Sequence, residues 1–535
     1  MKINYFIAFF SLLFISVNSN CQNSTVELKL QKGEKVWAGV VYDGKFMPFS
    51  QDYSFDFYGD NNHNQIQPLL LTSKGQFVWS EEPFKFDVKS NAVIITDAYN
   101  KVQMGSHGQN LAEVQRYVSD KFFKASGKLP DSLLFTAPQY NTWIELNYHH
   151  NQVDILKYAH AIIDNGMPPG VIMIDDTWQE DYGLWNFHPG RFPNPKAMID
   201  ELHGMGFKVM LWVCPFISAD QKLLYFDLKD KKALLLDKKK PTDNWSNSKS
   251  PIMIEWWNGV SAELDYSNPD AVKWFDAQLD NLVKTYKIDG FKFDAADTRF
   301  YPSNSLSKAG FSPNKQTETY AQFGLKYPLN EYRACWKMGG QPLVQRLQDK
   351  NHTWEDLRVL IPEIIVQGLS GYTFCCPDMI GGGNLESFGE NSKIDQDLIV
   401  RSAQCQALMP MMQFSVSPWR VLDATHLESV KNAVKIRTKF TPLIMNLARQ
   451  SAKTGEPIVK NMEFVFPEKG YESITDQFML GDKLLVAPMV DNKVTRNVIL
   501  PIGKWQADDG KIFQGGKSYT IDVPLNRLPY FEKLK

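Results

Sequence analysis

Gly170-Val171-Ile172-Met173-Ile174-Asp175-Asp176-Thr177-Trp178 decides the fold: an unbroken apolar run that stops abruptly at two carboxylates. A strand without polar alternation is buried on both faces. Moving outward, an amphipathic stretch covers Ala197 to Met205, and Lys208-Val209-Met210-Leu211-Trp212-Val213 is a second apolar run. Ala271 to Tyr286 is again amphipathic, and Gly290-Phe291-Lys292-Phe293 is a third short strand. Short apolar strands interleaved with helices imply a parallel sheet, and about 280 residues of this texture, from Pro138 to near Phe414, fit a (β/α)8 TIM barrel.

On either side of the barrel the pattern changes. Thr25-Val26-Glu27-Leu28-Lys29-Leu30 and Phe84-Lys85-Phe86-Asp87-Val88 alternate with period two between Gly, Asn and Asp clusters, which predicts an N-terminal β-sandwich over 24–130. The catalytic barrel is assigned to 131–430. A helical stretch near Leu427 to Gln450 then leads to Leu484-Leu485-Val486-Ala487 and Asn497-Val498-Ile499-Leu500, so 431–535 is read as a helical connection and a C-terminal β-sandwich. Ahead of these, Met1-Lys2, the apolar run Phe6 to Val17 and a polar stop have the proportions of a signal peptide over 1–23, too short to span a bilayer. The expectation is an exported protein: periplasmic, outer-membrane-anchored or secreted, with membrane attachment only if Cys21 carries a lipid.

The 535 residues carry 58 Lys and Arg against 60 Asp and Glu, a formal charge of -2. This balance lacks the basic footprint that binding to nucleic acid requires. Cys214, Cys335, Cys375, Cys376 and Cys405 are scattered and read as buried small hydrophobes, not as a disulfide framework. No metal or cofactor is expected, because zinc-ligand spacing and phosphate-binding glycine motifs are both missing from the sequence. The run Gly381-Gly382-Gly383 reads as a turn.

In a barrel of this kind, residues at the C-terminal ends of strands carry the chemistry. Asp175 and Asp176 end one apolar run, and Asp294-Ala295-Ala296-Asp297 ends another. Asp349 follows in Arg346-Leu347-Gln348-Asp349-Lys350, and Asp378 follows Gly371-Tyr372-Thr373-Phe374 in Cys376-Pro377-Asp378. Cleavage of a glycosidic bond needs one ionised carboxylate at the anomeric carbon and one protonated group at the leaving oxygen. The competing reading of any one such Asp is a helix cap. Taken together the acids are accompanied by Lys292, Arg333 and Arg346, charge partners that capping does not require; the same cations argue against a divalent metal site.

These residues resemble glycoside hydrolase family 31, over roughly Trp143 to Pro529. Asp175 to Trp178, then Phe187-His188-Pro189-Gly190-Arg191-Phe192-Pro193-Asn194-Pro195, is similar to the family's strand-end acid and the segment after it. Ile288-Asp289-Gly290-Phe291-Lys292-Phe293-Asp294 is similar to its nucleophile strand, while Gly481 to Pro488 and Leu500 to Trp505 resemble its C-terminal region. The pattern Arg346-x-x-Asp349-Lys350, with Trp256-Trp257-Asn258-Gly259 and Pro377-Asp378-Met379-Ile380-Gly381-Gly382, resembles the α-galactosidase subgroup that contains the myogenesis-regulating glycosidase.

The resemblance implies a retaining, exo-acting α-glycosidase that takes an oligosaccharide or glycoside, with α-galactose as the expected glycone. Asp294 is the expected nucleophile and Asp349 the expected general acid/base. Asp175, Asp176, Lys292, Arg333 and Arg346 are expected to bind substrate, with Trp178, Trp212 and Trp257 against the sugar face; for the tryptophans core packing is the competing reading. Lys292, two residues before Asp294 in a strand, shares its face and helps keep it ionised. Other family specificities (α-glucosidase, α-xylosidase, sulfoquinovosidase, transglycosylase) and an inactive exported carbohydrate-binding protein stand as the alternatives. Linkage, aglycone and oligomeric state are not encoded in any motif.

Overall fold

A computed structural model of the chain describes residues 25–60, 63–238, 250–389 and 392–534. The apolar run Phe6 to Val17 and Cys21 lie outside the described residues. Eight parallel strands form the central sheet: β1 (Gln139–Asn141), β2 (Val171–Ile174), β3 (Lys208–Val213), β4 (Gly290–Phe293), β5 (Leu329–Tyr332), β6 (Gln345–Arg346), β7 (Cys375–Cys376) and β8 (Gln413–Phe414). They are hydrogen-bonded in the order β7-β6-β5-β4-β3-β2-β1-β8, and a parallel bridge from Met379 to Gln413 closes the ring. Val171 to Ile174 and Val209 to Val213 are fully buried, as unalternated apolar strands must be.

Register sets the level at which each side chain meets the barrel interior. Trp212 pairs with Lys292, and Lys292 with Glu331, so these three occupy one layer. Asp175 follows the Ile174–Leu211 pair and reaches the same level. Gly290 is required where it stands: a Cβ there would run into the Leu329 carbonyl of β5.

Helices Gln152–Asp164, Pro195–Gly204, Pro269–Tyr286, Pro313–Gln322, Trp354–Leu369 and Gln396–Ala407 cover the strands. The regular alternation expected from sequence breaks after β5. No helix lies among the described residues 333–344; instead Cys335–Trp336 leaves the barrel and pairs in parallel with Gln65–Ile66 of the N-terminal region. The long helix Ala424–Thr454 has its N-terminus capped by Asp423, which accepts from the Thr425 and His426 amides, and ends at Gly455 in left-handed conformation. It passes uninterrupted through the 430/431 boundary drawn from sequence, because buried Arg437 on it donates to the carbonyls of Phe135, Ala407, Met409 and Pro410 and so ties it to the barrel.

The N-terminal region is a sandwich of two antiparallel sheets. One is ordered Val26–Lys29, Ala92–Thr96, Lys85–Val88, Tyr53–Asp56, and the other Val36–Val40, Gln65–Thr72, Gln76–Trp79, Gln103–Ser106. Gln65–Thr72 is buried along its whole length, and its start carries the chain to the catalytic end of the barrel. The C-terminal region has a six-stranded sheet and the antiparallel pair Thr495–Leu500 and Lys517–Asp522, packed around Met479, Leu485, Val498, Trp505 and Phe531. Among the described residues no helix is long and apolar enough to cross a membrane.

Candidate active site

The loops at the C-terminal ends of the strands enclose a cavity of about 400 Å³ whose walls include Asp175, Asp176, Trp212, Trp257, Lys292, Asp294, Arg333 and Asp349. Three of these loops begin with a non-glycine residue in the left-handed region or contain one: Thr177 (φ 70°), Ala295 (φ 61°) and Asp378 (φ 89°). Such backbone is costly for residues with a Cβ and persists where the surroundings fix it.

Asp294 emerges from β4 and is 8% exposed. Its Oδ1 accepts from Arg333 Nε at 2.9 Å and from the Ala295 amide at 2.9 Å, while Oδ2 accepts from Trp212 Nε1 at 3.0 Å. Lys292 Nζ stands 3.9 Å from Oδ2 and donates to Asp175 at 2.7 Å. Burial pushes this carboxyl up, but Arg333, Lys292, Arg346 and the Trp212 indole together outweigh it and hold Asp294 well below the ordinary carboxylate range.

Arg333, which the resemblance implies as a hydroxyl-binding residue, lines the cavity and is also engaged by acceptors of the protein itself. Besides Asp294, its guanidinium donates to both oxygens of Asp297, at 3.0 and 2.6 Å, and to the His63 carbonyl at 3.0 Å. Asp297, which the sequence left without a role, is fully buried and anchors this arginine. Burial raises the Asp297 carboxyl, yet Arg333 and His63 hold it well below its usual range. Replacing Arg333 by Leu strands two buried carboxylates, a defect of about 3–5 kcal/mol. Because both folded-state values are depressed, the wild-type contribution is complete above about pH 4 and drains away as pH falls further. The melting-temperature gap between wild type and Arg333→Leu is therefore expected to hold from pH 7 down to about pH 4 and to narrow below it; equal melting of the two proteins at pH 7, or a gap that does not shrink below about pH 4, would remove this account.

In a regular strand two vicinal carboxylates would point to opposite faces, but here both reach the cavity. β2 ends at Ile174, Thr177 turns the chain, and both Asp175 and Asp176 line the cavity. Asp175 pairs with Lys292. Asp176 accepts from Asn258 Nδ2 at 2.6 Å, from Tyr182 Oη at 3.1 Å and from the Thr177 amide at 2.6 Å. Burial pushes its carboxyl up to about 7, partly offset by its hydrogen-bond donors.

Asp349 lies in the loop after β6, with its side chain 41% exposed. Its Oδ1 accepts from Arg346 Nη1 at 2.7 Å, and the same nitrogen serves Asp378 Oδ1 at 2.6 Å. Arg346 is 1% exposed and is not part of the cavity wall, so it positions Asp349 instead of binding substrate directly. Trp178 is also corrected: it is fully buried, packs with Trp185 and Phe187, and donates to the Trp212 carbonyl at 2.8 Å, so the packing reading holds. Trp257 stands at the rim, 43% exposed, edge-on to Trp256 and Phe300.

Several wall residues had no sequence signal of their own. His63 arrives from the N-terminal sandwich, and Arg299 Nη1 shares a 2.8 Å hydrogen bond with its Nε2. Trp143, Tyr148, Asn384 and Glu386 complete the mouth. Asn258 was discoverable, since it sits in the Trp256-Trp257-Asn258-Gly259 motif; Tyr182 was not. Among the described residues no group of three or more His, Cys, Asp or Glu side chains is placed to hold a metal ion.

Residues 137–447 match the glycosyl hydrolases family 31 TIM-barrel domain, and 455–534 match the glycosyl hydrolase family 31 C-terminal domain. The chain is 31% identical over 441 residues to the myogenesis-regulating glycosidase of Mus musculus, covering 79% of this chain and 60% of that protein. It is 24% identical over 426 residues to α-glucosidase 2 of Bacillus thermoamyloliquefaciens, covering 72% of this chain and 52% of that protein. The chain thus spans between about half and three fifths of the length of these relatives. Among solved structures, the cycloalternan-degrading enzyme from Trueperella pyogenes in complex with a covalent intermediate superposes with a TM-score of 0.80 at 18% identity, over 96% of this chain and 77% of that one.

Proposed function

Since the chain belongs to glycoside hydrolase family 31, we propose that it is a retaining exo-α-glycosidase that releases terminal α-galactose, with Asp294 as nucleophile and Asp349 as general acid/base. The observation that carries this reading is the contrast between two carboxylates on one cavity. Asp294 is buried, fixed by three donors and held ionised; Asp349 is open to the cavity and hangs on a single guanidinium nitrogen that it shares with another carboxylate. Opposed environments are how two acids acquire opposite tasks.

In this mechanism Asp294 Oδ2 attacks the anomeric carbon. Among the described residues it accepts just the indole hydrogen bond within 3.5 Å, whereas Oδ1 takes two donors. As the glycosidic C–O bond breaks, Asp349 gives its proton to the leaving oxygen. Water then attacks the glycosyl-aspartate, Asp349 takes the proton, and the Asp294 carboxylate leaves with configuration retained. The covalent intermediate of the Trueperella pyogenes enzyme, on the same fold, agrees with this route. Asp175 and Asp176 accept from sugar hydroxyls, and Trp212 and Trp257 supply ring surface.

The galactose assignment rests on the subgroup resemblance, and the structure gives its motif a physical sense: Arg346 holds Asp349, and the Lys350 amide holds Asp378 at 2.8 Å. Hydrolysis of para-nitrophenyl α-galactoside, α-glucoside and α-xyloside tests it. The galactoside is expected to lead by about tenfold or more in kcat/KM, the discrimination that one well-placed hydroxyl contact provides. Preference for the glucoside or xyloside overturns the glycone and leaves the carboxylate roles standing. Turnover of none of the three, nor of free α-linked disaccharides, moves the protein to a binding role.

A further inference from the structure

Arg346 Nη1 carries two hydrogens but faces three oxygens: Asp378 Oδ1 at 2.6 Å, Asp349 Oδ1 at 2.7 Å and the Leu347 carbonyl at 3.0 Å. Two of these acceptors therefore share one hydrogen of this nitrogen. Asp378 is fully buried, its other oxygen accepts from the Lys350 amide, and its backbone is held at φ 89°. Strained backbone at a buried carboxylate, directed at the expected acid/base through a shared donor, is more than a helix cap or fold contact requires.

We propose that Asp378 is a positioning residue that keeps a proton available at Asp349 between turnovers, by crowding a second carboxylate onto the one guanidinium nitrogen that orients it. This rests on the reading of Asp349 as the acid/base. Two like charges crowded onto one donor repel, which favours holding a proton at the site. Burial pushes the Asp378 carboxyl up to about 7; Arg346 counters this and Asp349 adds to it.

The other groups facing the pair are accounted for. Glu331 of β5 approaches Arg346 Nε at 3.2 Å, and Lys350 Nζ is occupied by Glu363 of helix Trp354–Leu369 at 2.6 Å. From β4 and the loop after β5, Lys292, Asp294 and Arg333 act at longer range. Buried Cys376 precedes Asp378, and His352 binds the Gly381 carbonyl at 2.8 Å. The glycine run closes the arrangement: a Cβ on Gly383 would lie 2.9 Å from Asp378 Oδ1 and 3.0 Å from Asp349 Oδ1. The run read from sequence as a turn thus leaves room for both carboxylates at one place.

The test is the pH profile of kcat/KM for an unactivated α-galactoside and for a dinitrophenyl α-galactoside, in wild type, Asp378→Asn, Gly383→Ala and Asp349→Ala. Asp378→Asn removes the like charge while keeping the shape. It is expected to move the alkaline limb about one pH unit lower, and to lose about tenfold more on the unactivated substrate than on the activated one near pH 7. Gly383→Ala keeps every charge and forces the carboxylates apart, so the same widening of the two-substrate ratio is expected even if Asp378→Asn does not fold. An unmoved limb and an unchanged ratio in Asp378→Asn, or, where that variant does not fold, an unchanged ratio in Gly383→Ala, while Asp349→Ala is impaired, overturn the inference and leave the acid/base reading intact. Full turnover of the unactivated substrate by Asp349→Ala instead overturns the underlying reading.

Discussion

Asp294→Asn is expected to lower kcat by about 10⁴-fold or more on every α-glycoside the protein cleaves, because the amide is a poor nucleophile. The amide keeps the shape of the side chain and one acceptor oxygen, which can still take the Ala295 amide or the Trp212 indole but not both, so a large loss with retained folding reads as chemistry. Stability is not untouched: Arg333 and Lys292 each lose one charge partner but keep Asp297 and Asp175. A modest drop in melting temperature is therefore expected beside the kinetic collapse. Incubation of wild type with a 2-fluoro galactosyl fluoride should add one glycosyl mass to the peptide containing Asp294. Labelling of another peptide, or near-wild-type kcat in Asp294→Asn, removes Asp294 from the nucleophile position.

Asp349→Ala carries the second large effect, and its signature is dependence on the leaving group. A general acid contributes about 10²–10⁴-fold where the departing oxygen needs a proton, and little where it departs as a stable phenolate. Cleavage of an alkyl or disaccharide substrate should fall by that amount, while formation of the glycosyl-enzyme from a dinitrophenyl galactoside should hardly change. The intermediate should then persist, because no base remains to activate water. Azide, which needs no deprotonation, is expected to restore turnover and to yield a glycosyl azide of retained configuration. Asp349 tolerates this truncation structurally, since its side chain is 41% exposed and Arg346 keeps Asp378 and Glu331. Equal losses on activated and unactivated substrates would place Asp349 in binding and not in proton transfer.

Much of the site was legible because barrel chemistry collects where strands end. Asp175, Asp176, Lys292 and Asp294 follow directly from the apolar runs that precede them, and period-two spacing correctly placed Lys292 on the face of Asp294. Trp178 misled for the same reason: it follows a strand end in sequence, but the turn at Thr177 sends its ring behind the wall. Arg346 and Arg333 were rightly singled out for their charge, yet their partners proved to be carboxylates of the protein, because a buried guanidinium is satisfied before substrate arrives.

Sequence alone determined the architecture and which acidic residues stand at the strand ends. Hydrophobic periodicity is a local property, it reports which faces are buried, and a barrel built from such strands places their ends at one rim. Tertiary structure alone decided which groups share a partner. That His63 reaches the barrel rim from the sandwich, that Asn258 and Tyr182 hold Asp176, and that Asp349 and Asp378 meet on one nitrogen rest on contacts 270, 82 and 32 positions apart along the chain, joined by the local Asp176–Tyr182 and Arg346–Asp349 contacts. They depend on loop paths and left-handed backbone turns that side-chain pattern does not record, and on electrostatic competition among buried charges that exists only once the chain has folded.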